Sequence, residues 1–200
     1  MMSDRKASVR RATAETEVTV NVAIDGRGEF SGGTGVGFLD HMLDQVARHG
    51  LFDIEITATG DLHVDSHHTA EDVGIVLGRA FSDALGDRAG IRRMGDATVP
   101  MDEALAHVAV DLAGRDFAAF EGEFRQDRIG DLETSLVPHI VAALARHMGA
   151  AVHVRLLAGD DDHHKAEAIF KALARALDQA TALDPRRAGH VPSTKGTLTD

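Results

Sequence analysis

The 200-residue sequence has no cysteine, no tryptophan and no tyrosine, and only four prolines. Without cysteine there is neither a disulfide framework nor a thiolate metal site, which fits a reducing compartment. Phe is the only aromatic present, so stacking platforms for nucleic-acid bases are scarce. A formal net charge of −11 disfavours a phosphate backbone as partner, because such binding needs a clustered basic surface. The start, MMSDRKASVRRATAE, is basic, but no apolar segment follows it as a secretory signal requires. No apolar run is long enough to cross a bilayer. A soluble, cytoplasmic protein that binds neither nucleic acid nor membrane is expected.

What the sequence does have is a repeat. Residues 66–81 read SHHTAEDVGIVLGRAF, and residues 162–177 read DHHKAEAIFKALARAL. Each spells His-His-x-Ala-Glu at the head of an apolar-periodic run, at an offset of 96. VARHG (46–50) lies against LARHMG (144–149) at an offset of 98, which sets His41 against His139. FDIEITATGD (52–61) then falls on AVHVRLLAGD (151–160). The chain is two copies of one unit of roughly ninety residues.

Both copies show the same order of elements. In the first, residues 17–24 alternate polar and apolar as a half-buried strand does, before the Asp25-Gly26 turn. A helix carrying His41 to His49, a strand over 52–59 and a helix from about His67 to Leu85 follow. In the second, a strand over 107–112 precedes a helix from about Leu132 to His147, a strand over 151–157 and a helix from about His163 to Leu183. The tail, DPRRAGHVPSTKGTLTD, is punctuated by Gly and Pro and is expected as loop. The expected fold is α+β: an internally duplicated, pseudo-twofold unit of two β-sheets, each with helices on one face, the helix layers packed together. We expect one domain over 1–200, with repeats at about 10–92 and 93–185 and a tail at 186–200.

Adjacent histidines on a helix point about 100° apart, whereas residues three or four apart share a face. His68 with Glu71, and His164 with Glu167, can therefore each grip one ion, leaving His67 and His163 to point elsewhere. Two ions suit such pairs better than one. Under pseudo-twofold symmetry, one group would be His41, His68, Glu71 and His163, and its mate His139, His164, Glu167 and His67. Imidazole and carboxylate without sulfur suit Mn, Fe, Co, Ni or Zn. Four protein ligands leave two positions open on an octahedral ion, whereas a tetrahedral zinc would be closed. The plainer reading, a duplicated helix cap, explains neither the paired histidines nor the glutamate at the same offset.

Other features are weaker. GGTGVG (32–37) lacks the Lys-Ser/Thr of a P-loop and is expected as a flexible turn. The Pro192-Ser193-Thr194-Lys195-Gly196 stretch, and the cations Arg92, Arg93, Arg115 and Lys171, are solvated groups by default. Asp102-Glu103 is expected to face water unless it orients a substrate. His49, His107, His147 and His190 stand outside the metal set.

FLDHMLDQVARHGLFDIEITATGD, HHTAEDVGIVLGRA, MDEALAHVAVDLAGR, LAGDDDHHKAEAIFKALARAL, DPRR and PSTKG together resemble the imidazoleglycerol-phosphate dehydratase family of histidine biosynthesis, from about Arg10 to Leu198. The resemblance implies a duplicated α+β unit, two Mn²⁺ per active site and a homo-oligomer of 24 subunits with sites between subunits. It implies the metal residues His41, His67, His68, Glu71, His139, His163, His164 and Glu167, the set the repeat selects. It also implies Glu15, with Glu17 as its confusable neighbour, as the proton shuttle, and Glu71 and Glu167 among the catalytic carboxylates. Substrate and its phosphate would be held by Glu15, Gln45, His49, Arg93, Arg115, Lys171, Ser193 and Lys195, where charge-assisted bonds suit a dianion.

The implied reaction removes water from D-erythro-imidazole glycerol phosphate. A ring bound through both nitrogens to cations loses its N–H proton more easily. The anionic ring expels the neighbouring hydroxyl to give a diazafulvene-like intermediate. Loss of the adjacent C–H proton rearomatises it, and the resulting enol tautomerises to imidazole acetol phosphate. Two features depart from the family pattern. Pro138 precedes His139, so a helix is expected to begin or kink there, and Asp160-Asp161-Asp162 either attracts cations or caps the helix.

Two rival readings share parts of this pattern. A binuclear metallohydrolase would need no imidazole in its substrate. A metal-stapled assembly protein would have closed coordination and be indifferent to Glu15.

Overall fold

The computed structural model describes residues 5–187 and 189–198; the first four residues of the basic start, and Ala188, Thr199 and Asp200 of the tail, lie outside the described residues. The first repeat runs β1 (Lys6–Ala12), β2 (Thr16–Ala23), β3 (Phe30–Gly33), α1 (Gly37–Gly50), β4 (Asp53–Gly60) and α2 (His67–Leu85). The second runs β5 (Met94–Met101), β6 (Ala104–Asp111), β7 (Phe117–Glu121), a small hairpin of β8 (Arg128–Ile129) and β9 (Leu132–Glu133), α3 (Leu136–Met148), β10 (Ala151–Ala158) and α4 (Asp162–Thr181).

Each repeat makes one four-stranded sheet, in the orders β1-β2-β4-β3 and β5-β6-β10-β7. The pairs β3–β4 and β7–β10 are parallel, and in each repeat a helix spans the crossover that a parallel pair needs. Val18, Val20 and Val22 of β2, with Ile54 and Ile56 of β4, point inward; Ala106, Val108 and Val110 with Val152 and Val154 do so in the second sheet. The period-2 alternation read from the sequence sets this inward face.

The helices fill the space between the sheets. α2 lies on β1 and β2, α4 lies on β5 and β6, and each also crosses a helix of the other repeat: α2 with α3, α1 with α4. The α+β class, the duplication and the packed helix layers are as expected. Strands β1, β3, β5 and β7 are additions to the sequence reading. β1 and β5 are edge strands with one buried neighbour, and β3 is four residues containing two glycines, so none carries a strong apolar period.

Three local expectations need correction. α3 begins at Leu136, not near Leu132, because residues 128–133 form the hairpin. Pro138 neither starts nor kinks α3; it sits in the first turn, where backbone N–H groups have no intrahelical acceptor to lose. The 32–37 turn is not loose. Asp40 Oδ1 accepts from the Thr34 amide and hydroxyl, both at 2.7 Å, and the buried Thr34 hydroxyl accepts from the Val36 amide.

Glycine sets how closely α2 approaches α3. A Cβ on Gly78 would stand 2.6 Å from Leu144 O and 3.1 Å from Met148 N, and one on Gly74 would stand 3.1 Å from Ile140 O. Helix propensity alone predicts that Gly78→Ala stabilises α2 by about 1 kcal/mol. The crossing predicts the opposite sign, a net loss of about 1–3 kcal/mol from forced separation of packed backbone. Thermal unfolding of the variant checks the sign.

Candidate metal centre

The paired histidines open α2 and α4, while His41 and His139 sit in the early turns of α1 and α3. Because α1 crosses α4 and α3 crosses α2, each crossing brings together side chains from both repeats. His41 Nε2 and His163 Nε2 lie 3.4 and 3.3 Å from Glu167 Oε2. His139 Nε2 lies 3.3 Å from Glu71 Oε1, and His67 Nε2 lies 4.0 Å from Glu71 Oε2. In each trio the ligand atoms all fall within 4.8 Å of one another.

This grouping differs from the one built on pseudo-symmetry. Within the chain Glu167, not Glu71, joins His41 and His163, and Glu71 joins His67 and His139. Each glutamate works with the first histidine of its pair, four residues back, rather than the second. Either spacing is compatible with one face, since four residues are about 40° and three about 60° out of phase at 3.6 residues per turn. The crossing helix selects the side facing it.

The second histidines, His68 and His164, turn away to other carboxylates: Asp61, which sequence reasoning missed, Glu15, the expected proton shuttle, and Glu103, expected to face water. His68 Nδ1 lies 3.0 Å from Asp61 Oδ2 and 3.7 Å from Glu15 Oε2, and these three form a further group of possible ligands. His164 Nδ1 lies 2.8 Å from Glu103 Oε2. Hydrogen bonding to Asp61 raises the His68 pKa, and hydrogen bonding to Glu103 raises that of His164. A signal for Glu103 was present: Glu15 and Glu103 are 88 residues apart, the offset that separates β1 from β5 and β2 from β6. Both stand in the tight turn between the first two strands of their repeat.

The equivalent glutamates are held differently. Glu103 accepts from the Asp161 and Asp160 amides as well as facing His164, and these bonds lower its pKa to about 2. Glu15 makes no such backbone bonds through its carboxylate among the described contacts, and its side chain is 57% exposed. Glu103 is thus fixed in its ionised form, whereas Glu15 stands exposed beside His68. Of the Asp160–Asp162 run, Asp161 caps α4 by accepting from the His163 and His164 amides. Asp162 is buried against Lys165 Nζ at 2.7 Å, so that run serves the helix start.

The expected phosphate-binding residues fall into two groups. Around the α1–α4 crossing, Lys171 Nζ lies 2.6 Å from Glu167 Oε1, and His49 Nε2 lies 3.1 Å from Gln45 Oε1. Burial tends to raise the Glu167 pKa, but Lys171 and His41 outweigh it and leave the carboxyl lowered. At the start of β5, Arg93 grips Asp111 with two bonds of 2.7 and 2.9 Å and donates to Pro192 O at 2.9 Å. That bond docks the tail, which the sequence suggested only as loop; Leu198 is buried, its carbonyl against Gly114. Ser193 Oγ accepts from the Lys195 amide, while Arg115 and Lys195 are exposed.

Fold and site together define a duplicated α+β protein with an imidazole–carboxylate trio at each crossing between its repeats. A family model described as imidazoleglycerol-phosphate dehydratase matches residues 34–177. The imidazoleglycerol-phosphate dehydratase of Methylorubrum extorquens is 53% identical over 194 residues, covering 97% of this chain and all of the relative. Among solved structures, the dehydratase of Staphylococcus aureus superposes with a TM-score of 0.81 at 33% identity, over 90% of this chain and 99% of that one. IGPD of Pyrococcus furiosus, in complex with (S)-C348, also scores 0.81, at 37% identity over 94% and 99%. The chain belongs to the imidazoleglycerol-phosphate dehydratase family, hydro-lyases of histidine biosynthesis. No helix among the described residues is long and apolar enough to cross a membrane.

Burial, then the charge of Lys171, lowers the His49 pKa. Lys171→Met removes one of these causes and leaves the burial, so the His49 ring should titrate at higher pH than in the parent while staying below an ordinary histidine. Histidine ring resonances followed by NMR through pH 5–8 check the direction.

Proposed function

We propose that this chain is a metal-dependent dehydratase that converts D-erythro-imidazole glycerol phosphate to imidazole acetol phosphate, using two Mn²⁺ per active site. The observation that carries this reading is the pair of cross-repeat trios, each with two imidazoles and one carboxylate and no competing thiolate. That donor set fits a divalent ion of the Mn-to-Zn series and leaves coordination positions open. His41, His163 and Glu167 would hold one ion, and His67, His139 and Glu71 the other. His68 and His164 stand outside the trios of their own chain. We assign them as the ligands that a neighbouring subunit receives, in a cytoplasmic homo-oligomer of 24 chains with sites between subunits.

When bound, the ions supply charge that favours the deprotonated imidazole ring of the substrate. The chain's residues do the rest. Lys171, Arg93, Arg115, Ser193 and Lys195, with Gln45 and His49, bind the phosphate and orient the triol. Glu15 gives a proton to the departing hydroxyl, so that water leaves, and then takes the carbon-bound proton, which restores its protonated form. Glu71 and Glu167 hold metal and fix the charge around the ring.

The protein stripped with a chelator should lose turnover of imidazole glycerol phosphate and regain it on addition of Mn²⁺. In Glu15→Gln the regained rate should be about 10²- to 10⁴-fold lower, the usual contribution of one general acid–base group. A rate that survives the substitution would move the proton transfer to Glu17 or a metal-holding carboxylate. Failure to turn over the substrate with Mn²⁺ fully loaded would overturn the reading, and activity on phosphate esters lacking the imidazole would point to a hydrolase.

A further inference from the structure

The two repeats differ most between their third strand and the following helix. In the first repeat three residues, 34–36, join β3 to α1; in the second, fourteen residues, 122–135, join β7 to α3. This added segment carries the β8–β9 hairpin and reaches the starts of all four helices. Asp131 accepts from the Gly37 amide at 2.6 Å and the Phe38 amide at 2.9 Å, at the head of α1, which has no capping side chain of its own. Glu133 accepts from the hydroxyl of Ser66, the residue before α2, at 3.0 Å. The Arg125 and Gln126 amides donate to buried Asp162 in the first turn of α4, both at 2.7 Å. The segment ends where α3 begins, with Thr134 bonded back to the Gln126 and Asp127 carbonyls.

Those four helix starts carry every histidine assigned to the metal centre. The hairpin tip, Ile129 to Asp131, also shares one surface opening with Phe38, His41 and His163. We propose that segment 122–135 is the positioning device of this centre, and that Asp131 is the positioning residue for His41. The proposal rests on the metal reading above. By holding the first two amides of α1, Asp131 fixes where that helix starts, and hence where the imidazole one turn later meets Glu167. Residues that orient a ligand without touching the metal commonly change metal affinity by 10- to 100-fold when removed.

The test is an Mn²⁺ titration of the full chain, with free Mn²⁺ read by electron paramagnetic resonance, for the parent, Asp131→Ala and Asp131→Asn. Asp131→Ala should keep its helical signal and bind Mn²⁺ about tenfold more weakly. Asp131→Asn, which retains one acceptor oxygen, should recover part of the loss. A lowered melting temperature with parental Mn²⁺ affinity would make Asp131 only a helix cap and overturn the proposal. If Asp131→Ala does not fold, Glu133→Ala, which cuts the tie to α2, must weaken Mn²⁺ binding in its place; parental affinity there overturns the proposal too. A parent that takes up no Mn²⁺ would overturn the metal reading together with this inference, whereas binding by the parent and equal binding by the variants would overturn this inference alone.

Discussion

The crossing of helices between repeats is the constraint on which the rest depends. Among the described residues, neither repeat alone brings two imidazoles and a carboxylate together. His41 meets Glu167 and His163 only because α1 lies across α4, and His139 meets Glu71 and His67 only because α3 lies across α2. The close approach of α2 and α3 in turn requires Gly74 and Gly78, and the sheets outside hold each helix by an apolar face. A duplicated gene segment thus yields a site that exists only at the junction of its copies.

Much of this was legible in the sequence. The repeat gave the duplication, and the doubled His-His-x-Ala-Glu gave the residues now found at the crossings. What could not be read was the grouping, since i to i+3 and i to i+4 both place a side chain on one helix face and only the partner helix chooses. The edge strands were equally hidden: Ser8 and Arg10 face solvent and Ala7 and Val9 are only half-buried, so β1 lacks a strong apolar signal. The register drift from 88 to 98 residues was visible as a number; its meaning, an added hairpin that ties the helix starts, required the fold.

The copies have also diverged where chemistry asks them to. Glu103 is locked by two backbone amides and His164, while its counterpart Glu15 stays exposed beside His68. Glu167 is almost covered and paired with Lys171; four residues beyond Glu71 the chain has Ile75, and Glu71 is 41% exposed. Pseudo-symmetry therefore supplies two similar imidazole–carboxylate trios, and the departures from it leave one glutamate exposed beside His68 and one trio carboxylate paired with a lysine.

The most direct test of the account is anomalous X-ray diffraction from crystals grown with Mn²⁺. We predict two strong peaks per chain, one within bonding distance of His41, His163 and Glu167 and the other of His67, His139 and Glu71. Peaks confined to the Glu15–Asp61–His68 group, or none at the helix crossings, would contradict it.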